Sequence, residues 1–305
     1  MTTNDFNDTF DPGLVDEIDQ DTVEKNEIQF PIIQWHRGDP KFRKAGGMDY
    51  QGGFFVAENM APADLTAYGW ERTSWVHGDT DETEGYYIRD LTLALIRERK
   101  RWEVYDNNRR FNYAWKDYDK ASVAGRATGR SHVLALIQGL EKFGPFVLTL
   151  RGMAGVHFSG SRHIKGVLTQ FDAVVVRAAN DAVRKAGKHG IMPRRAFWLT
   201  VGAARDAKGA PVFIEVGTGS DKSHMVIPVA LGLPDKAEQV DLSKFFVGRE
   251  LLAKTTAIYT EAETWAAAWD TIVPGSSDQQ GQETAEPAAN NVAAVTESVA
   301  EELGL

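Results

Sequence analysis

The sequence predicts an α+β fold, built on a curved antiparallel sheet or a small OB-like barrel with inserted and appended helices. Eight to ten short apolar or alternating runs are separated by polar, often glycine-containing turns, which is typical of strands joined as hairpins. Only three or four segments carry helical periodicity. The 305 residues are 43% hydrophobic and 10% aromatic, which is enough for a sizeable core.

The first half of the chain is predicted to consist mainly of strands. Two apolar runs come first, and two hairpins follow them. One hairpin turns at GDTDET, and the other turns at Asn107–Asn108, since asparagine tolerates positive φ. The predicted strands are FPIIQW (30–35), GGFFVA (52–57), YGWERTSWVH (68–77), EGYYIRDLTLALI (84–96), RWEVY (101–105) and FNYAW (111–115).

The second half mixes helices with strands. SHVLALIQGLEKFG (131–144) is predicted to be a helix with Ser131 as N-cap and Gly144 as C-cap. A longer helix is predicted over 167–187, because Leu168, Phe171, Val175, Ala178 and Ala182 recur at steps of three and four. The other predicted elements are a strand at 146–152, a hairpin at 196–217 that turns at DAKG, a strand at 224–231 and helices over 241–269.

Charge divides the chain into three regions. Residues 1–27 are acidic and predicted to be disordered, residues 28–273 form one globular domain, and residues 274–305 form a linker and acidic tail that ends in a short amphipathic helix. The net charge is -9 for the whole chain, -8 for residues 1–30 and -6 for residues 275–305, which leaves +5 for residues 31–274. A basic body between acidic ends suits tails that compete with a polyanion or recruit basic partners, although acidic ends also serve solubility alone.

Composition excludes several classes of protein. There is no cysteine, so disulfides and thiolate metal sites are excluded. No apolar run approaches the roughly 20 residues of a membrane-spanning helix, and no secretory signal is evident, so we expect a cytoplasmic location without membrane contact. The seven histidines form no metal-binding or catalytic motif. We therefore expect no metal, no cofactor and no enzymatic activity, while an active site without a recognisable motif stays an open alternative.

The region 97–130 carries the main functional signal. It contains ten bases and five acids, a net charge of +5, and six aromatic residues lie among them. Single-stranded nucleic acid requires this combination, because phosphates bind cations and unstacked bases bind flat aromatic rings. The residues predicted to contact phosphates are Arg99, Lys100, Arg101, Arg109, Arg110, Arg126 and Arg130, and those predicted to stack on bases are Trp102, Phe111, Tyr113 and Trp115.

A structural interpretation of the same hairpin stays open. Phe111, Tyr113 and Trp115 fall on one face by the two-residue period of a strand, and Trp102 shares a face with Val104. Aromatic residues at this period also form the buried face of a sheet, in which case the arginines form its solvent-exposed face. Exposed rings beside the arginines would favour nucleic-acid binding, and buried rings would favour a protein that acts through structure or protein interaction.

The loop AGRATGRS (124–131) is a second candidate for anion binding. If Ser131 caps a helix, the free backbone N–H groups together with Arg126 and Arg130 form a phosphate contact. The glycine spacing is one residue short of a P-loop, and arginine stands where that motif requires lysine, so a nucleotide site is not predicted. An ordinary helix start is the alternative.

The C-terminal tip AEELGL (300–305), after its polar linker, resembles the tails of bacterial and phage single-stranded-DNA-binding proteins. It differs from the bacterial family in lacking a terminal Phe. The resemblance implies that the tail recruits replication or recombination proteins and competes with DNA. The residues expected to bind such partners are Glu301, Glu302, Leu303 and Leu305.

The body is similar to an uncharacterised bacterial and mobile-element domain family over about residues 28–120. The likeness is carried by FPIIQW, GGFFV and YGWERTSW. It implies a phage or plasmid context and no particular activity. The sequence therefore predicts a single-stranded nucleic-acid-binding protein, for DNA or RNA, that acts in replication or recombination. The alternative is a structural, assembly or interaction protein, and self-association is left open.

Overall fold

The computed structural model describes residues 30–36, 52–77, 81–106, 109–216 and 223–277, and all structural statements here concern these ranges. The predicted N-terminal segment 1–27 lies outside them, as does most of the predicted tail, residues 278–305. The tips of two predicted turns, at 78–80 and 107–108, also lie outside, as does the segment 217–222.

The described residues form an α+β fold, as predicted, and strands dominate it. The strands are β1 Ile32–His36, β2 Gly53–Ala57, β3 Glu71–His77, β4 Asp81–Ile88, β5 Asp90–Asp106, β6 Arg109–Ala114, β7 Ala127–Ile137, β8 Phe146–Arg151, β9 Leu199–Ala203, β10 Phe213–Val216, β11 Ser223–Val226, β12 Pro228–Leu231 and β13 Ser276–Ser277.

The helices lie between strands β6 and β7, between β8 and β9, and after β12. The α-helices are α1 Tyr118–Ala124, α2 Met153–Ser159, α3 Val167–Phe171, α4 Arg177–Lys185, α5 Leu242–Phe245, α6 Arg249–Glu261 and α7 Glu263–Ala267. A π turn, Asp172–Val176, joins α3 to α4, and a 3-10 turn, Ala268–Thr271, continues α7. Among the described residues, no helix is both long and apolar enough to cross a membrane.

One curled sheet organises the described part of the chain. Its strand order is β12-β9-β5-β7-β8-β1-β2-β4-β3, with β6 paired to β5 and β13 paired to β6. The pairs are antiparallel except for β1 with β8, which are parallel. The predicted curved antiparallel sheet is therefore confirmed. It curls into a half-barrel and does not close into the small OB-like barrel of the alternative prediction.

Strand β5 is the centre of this sheet. It is 17 residues long and pairs with β9 near its start, with β6 near its end and with β7 along most of its length. The β5–β7 register shifts between Leu95 and Arg97, and such a bulge bends the strand. The second half of β5 therefore leaves the main core and forms the base of the candidate site.

The principal core lies on one face of the sheet, under the helical segment 167–185. It includes Val133 and Ala135 from β7, Leu148 and Leu150 from β8, and Leu168, Phe171, Val175 and Ala179 from the helix. The predicted helix is confirmed, but Ala179 is buried where Ala178 and Ala182 were expected. The π turn explains the difference, because its extra residue advances the buried stripe by one position.

The helix predicted over 131–144 is wrong. Residues 131–137 continue strand β7, and only a 3-10 turn, Glu141–Phe143, follows. Every residue from Arg130 to Ile137 is buried, since β7 lies between β5 and β8 and is covered on both faces. A short apolar run of this kind has no period that separates a buried strand from a buried helix.

The hairpin predicted over 196–217 is correct at its turn and wrong in its pairing. Asp206 and Gly209 form the predicted turn, and one isolated bridge joins Arg205 to Pro211. Beyond that bridge β9 pairs with β5 and β12, whereas β10 pairs with β11 in a separate two-stranded sheet. Long-range pairing with β5 has therefore replaced the local hairpin.

Candidate nucleic-acid interface

The hairpin of β5 and β6 confirms the predicted pairing of RWEVY with FNYAW and sorts its side chains onto two faces. In the antiparallel register Trp102 lies opposite Tyr113 and Val104 lies opposite Phe111. Side chains alternate along a strand, so Glu103 and its neighbours two positions away point to the other face. Most of the cations and rings that alternate in the sequence therefore lie on opposite sides of the sheet.

The aromatic side of the hairpin is a packed cluster. Trp102 is 1% exposed and Tyr113 is 7% exposed. The Trp102 and Trp115 rings stack with centroids 4.2 Å apart, and Trp102 Nε1 donates to the Trp115 carbonyl at 2.8 Å. Helix α1 closes the cluster through the buried Ala121. Stacking on bases needs an open ring face, and Trp102 and Tyr113 have almost none.

Two of the predicted stacking residues lie at the margin of this cluster. Phe111 and Trp115 are half-buried and pack against its buried members. Lys100 Nζ lies 5.7 Å from the Trp115 ring centroid and 3.2 Å from Glu98 Oε1. Phe111 and Trp115 therefore keep partial access to a ligand, and Lys100 is held beside one of them.

The opposite side of the sheet concentrates arginines from four strands. Arg101 pairs in register with Arg130, and Arg130 pairs with Arg151, so the three occupy neighbouring positions on β5, β7 and β8. Arg110 comes from β6, opposite Tyr105. We call this surface the arginine face and define it as Arg99, Arg101, Glu103, Arg110, Arg130 and Arg151.

Glu103 is the centre of the arginine face. Its side chain is fully buried, and its Oε1 accepts from Arg101 Nε at 3.1 Å and Nη2 at 2.8 Å. Oε1 also lies 2.8 Å from Arg130 Nε and 3.8 Å from Arg110 Nη1. Tyr105 donates its hydroxyl to Oε2 at 3.1 Å. One carboxylate thus orients guanidinium groups from three strands.

The electrostatics of Glu103 follow from these neighbours. Burial by itself raises the pKa of Glu103, but Arg130, Arg101, Arg110 and Arg151 together outweigh it and hold this pKa at about 2, below the usual 4.5. A depressed carboxyl pKa contributes stability above pH 4.5 that is lost as the pH falls towards 2. Glu103 is therefore ionised throughout the physiological range, and the surrounding positive potential is strong enough to keep it so.

The C-terminal helices contact the arginine face at Arg99 and Arg101. The Arg99 guanidinium lies 4.2 Å from the Trp265 ring and 4.3 Å from the Trp269 ring, and its Nη1 donates to the Trp265 carbonyl at 3.1 Å. Arg101 lies 4.4 Å from the Trp269 ring, and His132 contacts the same ring at 4.4 Å between centroids. Arg99 thus joins the sheet to the C-terminal helices.

Two residues of the site were missed by sequence reasoning. Arg151 lies at the end of β8, and its guanidinium is 4.6 Å from the Tyr105 ring. Neither was predicted to take part, because Arg151 follows an apolar strand and lies outside the basic region. Only the β7–β8 register reveals it. Tyr105 could have been found from the sequence, because alternation along the strand places it on the same face as Arg101 and Glu103.

The remaining predicted cations lie at the rim. Arg109 is exposed at the start of β6. Arg126 is exposed between α1 and β7. The predicted helix start at Ser131 is wrong, because Ser131 and Arg130 lie inside β7. No helix N-terminus faces an anion there, and Arg130 belongs to the arginine face instead.

The tail begins next to this site. Ser276 pairs with Asn112 and Ser277 pairs with Phe111, which extends the sheet at the edge of β6. The predicted partner-binding residues Glu301, Glu302, Leu303 and Leu305 lie outside the described residues. The described chain therefore ends at the edge of β6, and the partner contacts of the tail stay a prediction.

A second basic region was also missed. Residues 161–195 contain eight bases and two acids, a larger excess than that of the region 97–130. A charge count over windows of the sequence would have found it. We call the part of it on α4 and in the turn that follows the basic helical surface, and define it as Arg177, Arg184, Lys185 and Lys188. The other cations of the region are placed differently, since the Arg195 guanidinium lies 4.4 Å from the Tyr259 ring of α6.

Comparison with protein-family models, with curated proteins and with solved structures finds no match to this chain. Within the described ranges, no group of three or more His, Asp or Glu side chains is arranged to hold a metal ion. The features of the described residues that bear on function are the arginine face, the rings at the margin of the aromatic cluster and the basic helical surface.

Proposed function

We propose that this chain is a single-stranded nucleic-acid-binding protein, and that the arginine face with its rim is the interface. The observation that carries the proposal is the convergence of Arg101, Arg130 and Arg110 on the single carboxylate of Glu103. The setting we propose is the cytoplasm of a host cell, in replication or recombination for a phage or mobile element. This setting extends the predictions made from the sequence.

The chemistry of the site supports an oxyanion ligand. Arginine binds carboxylate and phosphate oxygens through a planar fork of N–H donors. Glu103 holds the guanidinium groups of Arg101 and Arg130 in buried positions, so these two act on a phosphate through their positive potential and not through direct contact. Arg109 and Arg126 are exposed and supply the first contacts with the strand, whereas Arg101 and Arg130 are buried and supply the potential behind them.

Single strands are favoured over duplexes by the rings at the margins. Tyr105, Phe111 and Trp115 are half-buried, each within or beside the cationic hairpin. Unstacked bases gain about 1–3 kcal/mol for each aromatic ring on which they stack. Tyr105 lies on the arginine face and takes the stacking role there. Phe111 and Trp115 lie on the opposite side of the hairpin, beside Lys100, and keep their predicted stacking role only for bases that reach that side.

One observation favours a different class of protein. The Trp102–Trp115 stack and the burial of Tyr113 are what the structural interpretation of the hairpin predicts. Under this alternative, the chain is an assembly or interaction protein, and the arginine face holds the hairpin together without a ligand. The two functions differ in their response to nucleic acid.

The test is fluorescence anisotropy of labelled single-stranded poly-dT, and of poly-U as the RNA arm, titrated with the full chain. We expect binding that weakens at least tenfold between about 50 and about 200 mM salt, because each phosphate contact releases a counterion. The double variant Arg109→Ser, Arg126→Ser should bind at least fivefold more weakly. The matched control Lys208→Ser, Lys236→Ser removes two exposed charges away from the hairpin and should bind nearly as well as the unaltered protein. If neither nucleic acid binds at about 50 mM salt, the proposal is overturned.

A further inference from the structure

The basic helical surface forms a second concentration of positive charge, separate from the arginine face. It belongs to the region 161–195, in which eight cations are accompanied by only Asp172 and Asp181. The chain as a whole carries a net charge of -9. Such a local excess in an acidic protein is not explained by solubility, because a negative chain is already soluble through its acids.

Helical geometry aligns the central cations of this surface. Arg177 and Arg184 are seven residues apart on α4, which places them within about 20° of each other around the axis and about 10 Å apart along it. Their side chains are 66% and 73% exposed. Asp181 lies between them and pairs with both. Lys185 and Lys188 are exposed at the end of the same helix.

A groove lies between α4 and the loop that follows it. Its volume is about 380 Å³, and it is lined by Asp172, Val176, Arg177, Asn180 and Arg184 from the helical segment and by Gly190 and Ile191 from the loop. Asn180 Oδ1 accepts from the Met192 backbone N–H at 2.8 Å, which holds the loop against the helix. Ile191 is 82% exposed. Arg177 and Arg184 both pair with Asp181, and their exposed guanidinium groups beside the apolar Ile191 are the features that would receive a phosphate joined to a sugar.

The two basic surfaces lie on opposite sides of the sheet. Helix α4 packs on the principal core through Ala179, and that core includes Val133. Val133 and Arg130 are three residues apart on β7, so their side chains point to opposite faces. A ligand on the arginine face therefore leaves the basic helical surface open to a second one.

We infer that the basic helical surface binds the phosphate backbone of a second nucleic-acid segment, so that one protein molecule bridges two segments. This inference rests on the proposed function, because the first segment occupies the arginine face. Bridging by opposite surfaces brings two strands together, which is the step that strand annealing and recombination require. The alternative is that an acidic protein binds the same cations, and the test must distinguish it from nucleic acid.

The experiment measures energy transfer between donor-labelled and acceptor-labelled poly-dT in the presence of the full chain. A second arm replaces the acceptor strand with a labelled duplex, and a third replaces it with labelled poly-glutamate. The variant Arg177→Ser, Arg184→Ser, Lys185→Ser, Lys188→Ser removes four charges from the surface. The control Arg89→Ser, Lys208→Ser, Lys244→Ser, Arg249→Ser removes four exposed charges that lie outside α4 and the loop after it.

We expect the unaltered chain and the control to give energy transfer with a nucleic-acid acceptor. The helix variant should give at most one fifth of this energy transfer. It should bind a single labelled strand as tightly as the control does. Equal energy transfer by variant and control overturns the inference and leaves the proposed function standing. The inference is also overturned if the helix variant lowers energy transfer only with the poly-glutamate acceptor. Failure of the unaltered chain to bind even one strand overturns both.

Discussion

Arg101 and Glu103 lie two residues apart on the same strand and are joined side by side, with two hydrogen bonds from the guanidinium to one carboxylate oxygen. Neighbours at this spacing share a face of the sheet, so the pair is local in the sequence. Arg130 reaches the same oxygen from β7 at 2.8 Å. A local pair thus becomes the centre of a buried cluster that extends across the sheet.

Replacing Glu103 with Gln should lower the free energy of unfolding by about 3–5 kcal/mol, because it leaves buried guanidinium groups without their carboxylate. Urea unfolding at neutral pH measures the change. The isosteric control Glu261→Gln alters an exposed side chain at the end of α6 and should cost less than about 0.5 kcal/mol. A loss below about 1 kcal/mol for Glu103→Gln would show that the cluster does not depend on this carboxylate.

His132 should make the stability of the protein depend on pH. Burial, reinforced by Arg99 and Arg130, holds the pKa of His132 well below its usual 6.5. Below pH 6.5 the unfolded chain binds a proton that the folded chain does not, so stability falls as the pH falls. Between pH 7.5 and 5.5 the unaltered protein should lose about 1.4 kcal/mol more than His132→Gln does.

Urea midpoints at these two pH values measure that difference, which is independent of the other histidines because both proteins contain them. The control is His163→Gln, which alters an exposed side chain. It should keep the pH dependence of the unaltered protein. Identical pH dependence of His132→Gln and the unaltered protein would mean that His132 titrates normally in the folded state.

Trp102 should act through packing and not through contact with bases. Trp102→Ala removes a side chain that is 1% exposed and should cost about 3–5 kcal/mol. Trp102→Phe keeps a ring, should cost less, and should leave the affinity for poly-dT within twofold. Val123→Ala, at an 89% exposed position on α1, serves as the control. Tenfold weaker binding by a Trp102→Phe protein of unchanged stability would restore the stacking role.

Arg99→Lys should loosen the C-terminal helices. A lysine ammonium cannot stack on Trp265 and Trp269 as the planar guanidinium does, and each desolvated contact of this kind contributes up to about 2 kcal/mol. We expect a loss of about 2 kcal/mol and a red shift of tryptophan emission, because Trp265 and Trp269 gain contact with water. Arg89→Lys, at an exposed position between β4 and β5, should change neither. An unchanged emission spectrum for Arg99→Lys would count against this link between sheet and helices.

Local patterns predicted the elements whose partners are close in the chain. The hairpin of RWEVY and FNYAW and the helix over 167–185 were found from their periods, two and 3.6. The run in 131–137 was misassigned because both faces of β7 are buried, one in the principal core and the other against Ala262 and Trp265. No feature within that run distinguishes the two outcomes.

The sequence by itself determined that the hairpin has an aromatic face and a cationic face, since alternation along a strand follows from backbone geometry alone. It also determined where charge is concentrated, including the basic excess of 161–195. Only the tertiary structure decided which face is covered, because α1 closes the aromatic side while Trp265 and Trp269 close one end of the other. The partners of Glu103 come from three strands besides its own. Their convergence depends on the register of the whole sheet, and register is set by long-range packing that no local pattern records.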